Sequence, residues 1–123
     1  MDKKRILIVE DELDIQETIQ FRLEFEGFEC LLANDGEDAL AKAKSENPDL
    51  ILLDLMLPKI NGYKVCRLLK FDEQYRHIPI IMLTAKVQET DVLMGKETGA
   101  DEYLFKPFVM DELLGIIRKH LKE

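Results

Sequence analysis

Residues 50–58 of the 123-residue chain read Leu-Ile-Leu-Leu-Asp-Leu-Met-Leu-Pro, and their pattern indicates the fold class. The apolar residues 50–53 are consecutive rather than alternating with polar ones, which is typical of a strand that helices cover on both faces. Asp54 follows them directly. Because an acid costs free energy to bury without a partner, its place at the end of this strand indicates a specific role.

Similar short apolar runs lie on both sides of this stretch, separated by segments with helical periodicity. In the first such segment Ile15, Ile19 and Leu23 follow an i, i+4, i+8 pattern and form one apolar stripe. The alternation predicts an α/β fold with a parallel sheet, and the mixed second run suits an edge strand. The five predicted strands are Arg5–Val9, Phe28–Leu32, Leu50–Leu53, Pro79–Leu83 and Glu102–Phe105.

Length and composition restrict the possible functions. A chain of 123 residues is the size of one compact domain, and we expect residues 1–123 to form it. The net charge of -8 would repel a phosphate backbone, so direct nucleic-acid binding is not expected. No apolar run is long enough for a membrane span or signal peptide, and we expect a cytoplasmic protein. Cys30 and Cys66 lack metal-ligand spacing and are predicted to be free, buried thiols.

Polar residues follow the predicted strands at the edge where an open parallel sheet binds its ligands. Glu10 and Asp11 follow the first strand, Asp54 the third, Thr84 the fourth, and Lys106 the fifth. A hard divalent cation is the usual way to keep clustered carboxylates ionised, and Mg²⁺ often binds carboxylates together with a phosphate. The pattern therefore predicts a magnesium site at which Asp54 could become an aspartyl phosphate, with Lys106 and Thr84 contacting the phosphoryl oxygens.

Each of these residues also has a purely structural interpretation. Asp11 could cap the first helix, since an aspartate before an amphipathic segment is a common N-cap. Thr84 is at home in a strand, and Tyr103 could be an ordinary half-buried strand aromatic. Only the combination of these residues with Asp54 and Lys106 favours a reactive site.

The ordered set of motifs resembles the receiver domains of two-component response regulators, over residues 5 to 121. Any one of these motifs would be weak evidence, but each lies at the predicted end of a strand. The motifs are Glu10-Asp11, Asp54-Leu-Met-Leu-Pro58 with Asn61-Gly62, Thr84-Ala85-Lys86, Gly99-Ala-Asp-Glu-Tyr103 and Lys106-Pro107-Phe108. The resemblance implies a flavodoxin-like, doubly wound sheet of five parallel strands in the order 2-1-3-4-5 with five helices.

The resemblance also implies a role for each residue of the acidic edge. Asp54 would be the phosphoacceptor. Asp11, Asp54 and the backbone carbonyl of Met56 would ligate Mg²⁺, with Glu10 acting mostly through water. Lys106 would pair with the phosphoryl group.

A conformational switch is the expected output of this chemistry. In the family pattern, Thr84 would move toward the phosphoryl oxygen and Tyr103 would turn inward into the space that it leaves. The Lys106–Pro107 peptide bond is expected to be cis. The phosphoryl group would come from a histidine kinase, a phosphotransfer protein or a small phosphodonor. The domain would catalyse only its own phosphorylation and dephosphorylation, so it would be a signalling protein and not a metabolic enzyme.

The chain departs from the family pattern in several places. Glu10 stands where the family often has an aspartate, which is a common variant. Asn61 replaces a frequent aspartate, and Val109 stands where a helix-capping Ser or Asp is common. None of these differences removes a reactive group.

The surface formed by the predicted fourth helix, fifth strand and fifth helix is the dimer face of winged-helix transcription regulators. Asp101, Glu102 and Glu112 match the charges of that class, whereas Val92 and Ile116 stand where it usually has basic residues. Ile116 is also predicted to be exposed. We expect either a homodimer with apolar contacts at this face or no dimer through it.

Two other functions fit parts of the pattern. A phosphatase of the haloacid-dehalogenase kind also forms an aspartyl phosphate, but it needs a second aspartate where this chain has Met56. A receiver-like interaction module would not need the complete set of reactive residues. Whether the chain acts alone or within a longer regulator is left open. By analogy, the kinase contacts are predicted at Asp14, Ile15, Thr18 and Arg22.

Overall fold

The computed structural model describes residues 3–84 and 99–122, and its centre is one parallel sheet. The strands lie side by side in the order β2-β1-β3-β4-β5, so the predicted strand order is confirmed. Each neighbouring pair is parallel, and β1 and β3 lie together in the middle of the sheet. The strands are β1 (Arg5–Val9), β2 (Glu29–Ala33), β3 (Leu50–Asp54), β4 (Ile80–Thr84) and β5 (Glu102–Phe105).

Four helices connect and flank these strands within the described residues. We number them α1 (Leu13–Phe25), α2 (Gly36–Glu46), α3 (Gly62–Lys70) and α4 (Met110–Leu121). The prediction was five helices. The remaining predicted helix, which includes Val92, falls between β4 and β5 on residues 85–98, outside the described part of the chain.

The helices cover both faces of the sheet and create two apolar cores. On one face α1 and α4 pack on side chains such as Ile6 and Ile8, and on the other α2 and α3 pack on Leu7 and Val9. All of β3 and β4 is buried. The consecutive apolar residues of these strands are thus explained by cover on both faces, as the sequence predicted.

Local signals set the bounds of α2. The Asp35 carboxylate accepts a hydrogen bond of 2.8 Å from the backbone N–H of Asp38, which caps the first turn. At the other end Asn47 adopts a left-handed conformation and is followed by Pro48, a residue that cannot continue a helix. The helix therefore starts and stops where its capping residues stand.

Two predictions of burial need correction. Ile116 was predicted to be exposed, but it is half-buried and packs against the core formed with α1 and α4, because the apolar face of α4 is wider than a single stripe. Cys30 is half-buried rather than buried, while Cys66 is buried, and both thiols are free. Among the described residues, no helix is long and apolar enough to cross a membrane.

Candidate functional site

The carboxyl ends of β1 and β3 bring three acids together. Val9 pairs with Leu53 across these strands, so the residues that follow them, Glu10 and Asp54, come to lie side by side. Glu10 is fully buried, Asp54 is 5% exposed, and Asp11 is exposed beside them. One carboxylate oxygen from each acid lies within 4.8 Å of the others. The structure thus forms the acidic cluster that the sequence predicted.

Lys106 brings positive charge to this cluster from the end of β5. Its Nζ lies 2.8 Å from Glu10 Oε1 and 3.5 Å from Asp54 Oδ1. The backbone N–H of Lys106 donates a hydrogen bond of 2.7 Å to the carbonyl of Thr84. This bond holds the start of the loop after β5 against the end of β4. The Lys106–Pro107 bond is cis, as predicted.

The close contact of these groups shifts their pKa values in different directions. Burial, and then the neighbouring Glu10 carboxylate, raise the pKa of Asp54 to about 7. Burial acts to raise the pKa of Glu10 too, but hydrogen bonds with Asp54 and Lys106 outweigh it and lower that pKa. Burial acts against the charged form of Lys106, yet the two carboxylates raise its pKa. Without metal, the site therefore combines charged Lys106 and Glu10 with an Asp54 carboxyl whose pKa is raised toward neutrality.

The loop after Asp54 is held tightly against the end of β3. The backbone N–H of Met56 donates to Asp54 Oδ1 at 3.4 Å, and the N–H of Gly62 donates to the Leu55 carbonyl at 2.9 Å. A Cβ on Gly62 would overlap with the Asp54 carbonyl oxygen and lie 2.8 Å from Leu55 Cα. Only glycine allows α3 to begin so close to the acceptor, which explains the Asn61-Gly62 sequence.

The donor set of the cluster suits a hard divalent cation. Glu10, Asp11 and Asp54 offer only oxygen, and hard cations such as Mg²⁺ take oxygen ligands. Asp11 is exposed and can exchange water for an ion, whereas Glu10 is engaged with Lys106. The residues therefore fit Mg²⁺, as expected from the sequence.

Thr84 and Tyr103 lie on β4 and β5, away from the acidic cluster at the ends of β1 and β3. Thr84 is buried at the end of β4 and pairs with Phe105, and Tyr103 pairs with Met82. Because side chains alternate along a strand, Thr84 and Tyr103 point to the same side of the sheet. Tyr103 is half-buried, and its ring centroid lies 5.8 Å from that of Phe105. The two predicted switch residues are therefore neighbours on adjacent strands, although Tyr103 is not part of the acidic cluster.

The capping interpretation of Asp11 is wrong, and another residue of α1 was missed. The N-cap of α1 is Glu12, and its side chain makes no capping hydrogen bond. Gln16 is buried and donates to backbone carbonyls next to the acidic cluster. The sequence offers one signal for it, a polar residue beside the apolar stripe, but the carbonyls that it contacts are adjacent only in the folded chain.

An open groove of about 480 Å³ lies beside the site, between α1 and the loop after β5. Asp14, Ile15 and Thr18, three of the four predicted kinase contacts, line it together with Phe108. The fourth, Arg22, is not among the lining residues. It instead forms ion pairs with Asp111 at 2.7 Å and Glu26 at 3.2 Å.

Comparison with known proteins gives a consistent result. The family model of the response regulator receiver domain matches residues 6–118. The alkaline phosphatase synthesis transcriptional regulatory protein PhoP of Bacillus subtilis is 46% identical over 119 residues, 97% of this chain and 49% of PhoP. The DNA-binding response regulator MtrA of Mycobacterium tuberculosis is 44% identical over 120 residues, 98% of this chain and 51% of MtrA. The chain thus spans about half the length of these relatives.

Solved structures agree with the sequence comparisons. A CheY-like response regulator receiver domain protein from Methanospirillum hungatei superposes with a TM-score of 0.91 at 32% identity, covering 98% of this chain and 95% of that one. The chemotaxis response regulator CheY4 of Vibrio cholerae gives a TM-score of 0.90 at 31% identity, covering 97% and 99%.

Proposed function

The chain belongs to the response regulator receiver domain family of two-component systems, and we propose that its residues 1–123 form a switch controlled by phosphorylation of Asp54. One observation carries this proposal. Asp54 ends the central strand β3, nearly buried, between the carboxylate of Glu10 and the ammonium of Lys106. A carboxylate at such a position can act as a nucleophile toward phosphorus, while the lysine neutralises the incoming phosphoryl charge.

The proposed transfer step is a displacement at phosphorus. A carboxylate oxygen of Asp54 attacks the phosphorus of a phosphohistidine, forming an O–P bond as the N–P bond breaks. The electron pair of the broken bond stays on the imidazole nitrogen, which takes up a proton. The signal ends when water attacks the phosphorus of the aspartyl phosphate and releases inorganic phosphate and the Asp54 carboxylate. This slow self-dephosphorylation would be the only hydrolysis that the domain catalyses.

Magnesium would be the cofactor of both steps. Asp11, Asp54 and the backbone carbonyl of Met56 would hold it, and Glu10 would act on it mostly through water. Once bound, Mg²⁺ supplies positive charge to the phosphoryl oxygens and favours the ionised form of the acids around it. The exposed Asp11 beside two buried acids supports this assignment.

The switch would run from Thr84 to Tyr103. We propose that the Thr84 hydroxyl donates to a phosphoryl oxygen after transfer, and that the Tyr103 ring then turns further into the fold. Their position on adjacent strands and the same face supports this coupling. Because Tyr103 is half-buried, its ring would gain burial by turning inward.

The phosphodonor that we propose for Asp54 is a histidine kinase or a phosphotransfer protein of the cytoplasm. The groove of Asp14, Ile15 and Thr18 beside Lys106 supports a docking site at α1, because a donor histidine must approach Asp54 from this edge of the sheet. We propose no direct nucleic-acid contact by this chain. The relatives named DNA-binding are about twice as long, so DNA binding by a longer protein is compatible with this proposal.

Intact mass spectrometry tests the proposal. The protein is incubated with phosphoramidate and Mg²⁺, and we expect a mass gain of one phosphoryl group that EDTA abolishes. The Asp54→Ala variant should show no gain. The Glu12→Gln variant removes an exposed acid at the same edge of the sheet and should be phosphorylated to the same extent as the wild type.

Each outcome distinguishes the alternatives. No mass gain on the folded, Mg²⁺-loaded wild type would favour a receiver-like interaction module. A gain that persists in Asp54→Ala would place the acceptor elsewhere. A gain that EDTA leaves unchanged would remove the metal from the mechanism.

A further inference from the structure

Gln16, on the first turns of α1, is a buried polar residue that the proposed chemistry does not use. It touches none of the reacting atoms. We propose that Gln16 is a positioning residue, which fixes the loop carrying Glu10 and Asp11 in the geometry that binds Mg²⁺. This inference rests on the proposed metal site.

The contacts of the Gln16 amide define this role. Its Nε2 donates to the carbonyls of Ala33 at 3.1 Å and Glu10 at 3.3 Å, and to Asn34 Oδ1 at 3.0 Å. A longer contact of 3.5 Å reaches the Ile8 carbonyl. All of these partners are acceptors, so the amide nitrogen must face them.

The partners belong to two adjacent strands and to the residues directly after them. Ile8 lies in β1 and Glu10 follows that strand, whereas Ala33 ends β2 and Asn34 follows it. Ala33 also accepts a hydrogen bond of 3.1 Å from the backbone N–H of Glu10. Gln16 and the Glu10 N–H therefore share one acceptor, and the backbone of Glu10 is held on both sides, at its N–H and at its carbonyl.

The consequence reaches the acids directly. Glu10 and its neighbour Asp11 contribute two of the three carboxylates of the cluster, and the backbone between them is the segment that Gln16 holds. Mg²⁺ requires near-ideal ligand geometry, so freedom in this backbone should reduce its affinity. Residues that orient metal ligands without binding the metal typically change affinity about 10–100-fold when they are replaced.

The loop after β2 also contacts the chain segment that follows Asp54. The Gly36 N–H donates to the Pro58 carbonyl at 3.3 Å, and Lys59 pairs with Asp35 at 3.5 Å. The loop after β2 thus touches the loop after Asp54 as well as the amide of Gln16. It carries no reactive residue of its own, so its contribution is to support the two loops that do.

The test compares Gln16→Met, which keeps the length of the side chain and removes its donors, with Ile19→Val as a matched control. Ile19 is buried one turn further along α1 and makes only apolar contacts with its core. Two quantities are measured by NMR on the whole chain. They are the Mg²⁺ dissociation constant and, in metal-free protein, the hydrogen-exchange rates of the Glu10 and Leu55 amides.

We expect Gln16→Met to weaken Mg²⁺ binding by about tenfold or more and to speed exchange at the Glu10 amide. The Leu55 amide, bonded to Leu83 at 2.9 Å, should keep its rate relative to the rest of the sheet. Ile19→Val should lower the melting temperature without either effect. Asn34→Ala, at an exposed position, should show a smaller change of the same kind and carries the test should Gln16→Met not fold.

Unchanged Mg²⁺ affinity and unchanged Glu10 exchange in Gln16→Met would overturn the inference. Equal changes in Ile19→Val would overturn it as well, because they would reduce Gln16 to a core residue. A wild type that binds no Mg²⁺ would contradict the proposed function instead. In that case the exchange rate of the Glu10 amide still decides whether Gln16 holds this loop.

Discussion

Asp54 is the residue on which the account depends, and its pKa of about 7 makes its charge state measurable. In metal-free protein the folded state keeps this proton up to about pH 7, while an unfolded aspartate loses it at its ordinary pKa of 3.8. The folded state therefore binds more protons between these values, and the stability of the wild type falls as the pH rises through this window.

Replacing Asp54 with Asn removes the titrating group and should reverse this loss. In EDTA we expect the melting temperature of Asp54→Asn minus that of the wild type to be about 10 °C larger at pH 8 than at pH 5, because the two pKa units between pH 5 and the folded-state pKa correspond to roughly 3 kcal/mol. Differential scanning calorimetry measures both values. Glu12→Gln controls for the loss of one charge at the same edge, and an equal difference at both pH values would contradict the assigned environment of Asp54.

The sequence predicted most of the candidate site residues because each lies at or just after the end of an apolar strand, and parallel strands end at one edge. Asp54 and Lys106 were found in this way and meet in the structure. Gln16 was not, since its importance comes from the carbonyls of Glu10 and Ala33, which approach it only through the pairing of β1 and β2. Because every residue has a backbone carbonyl, the sequence does not show which carbonyl accepts a side-chain hydrogen bond.

At the scale of elements, the strand predictions failed where an apolar residue lies outside the sheet. β1 and β5 have the predicted bounds, but β2 is Glu29–Ala33 rather than Phe28–Leu32, and β4 is Ile80–Thr84 rather than Pro79–Leu83. β3 begins as predicted and extends one residue further, to Asp54. Phe28 is buried in the core of α1 and α4 although it precedes the strand. An apolar run in the sequence indicates which residues are buried, not which residues pair in the sheet. Here burial begins at Phe28, one residue before β2.

Helix caps show the same relation between sequence and structure more directly. Asn61 accepts a hydrogen bond of 3.0 Å from the Lys64 N–H at the start of α3, whereas Val109 begins α4 without a side-chain cap. The absence of a cap at Val109 was predicted from the sequence. Because Val109 is 66% exposed, replacing it removes little apolar contact.

The Val109→Ser variant should therefore be more stable than the wild type. A serine at the N-cap contributes about 1 kcal/mol, equal to roughly 4 °C in melting temperature for a domain of this size. Asn61→Ala is the matched control and should lose a similar amount. Thermal unfolding of both variants checks the prediction, and a neutral or destabilised Val109→Ser would show that another contact already satisfies this helix start.

At the scale of the whole molecule, the residues assigned to a dimer face are partly engaged within the chain. Asp101 pairs with Lys70 at 2.7 Å, and Glu102 lies 2.9 Å from His120. Ile116 is half-buried against the core. These contacts reduce the charge and the apolar area that the free chain offers to a second copy, while Val92 lies outside the described residues.

We therefore expect the unmodified chain to sediment as a monomer and the phosphorylated chain to shift toward a dimer. The physical reason is that the proposed switch of Thr84 and Tyr103 would change the edge of the sheet next to this face. Sedimentation velocity, with and without phosphoramidate and Mg²⁺, gives both states, and Asp54→Ala serves as the control that cannot be phosphorylated. A monomer in both forms would remove the homodimer from the account.

The most direct test of the central claim is to locate the phosphoryl group by chemical trapping. Borohydride reduces an aspartyl phosphate to homoserine, which tandem mass spectrometry assigns to a position in the chain. If Asp54 is the phosphoacceptor, reduction after phosphorylation in Mg²⁺ should yield homoserine at position 54 and at no other aspartate. Homoserine at Asp11, or at none of the aspartates of a protein that has gained a phosphoryl mass, would contradict it.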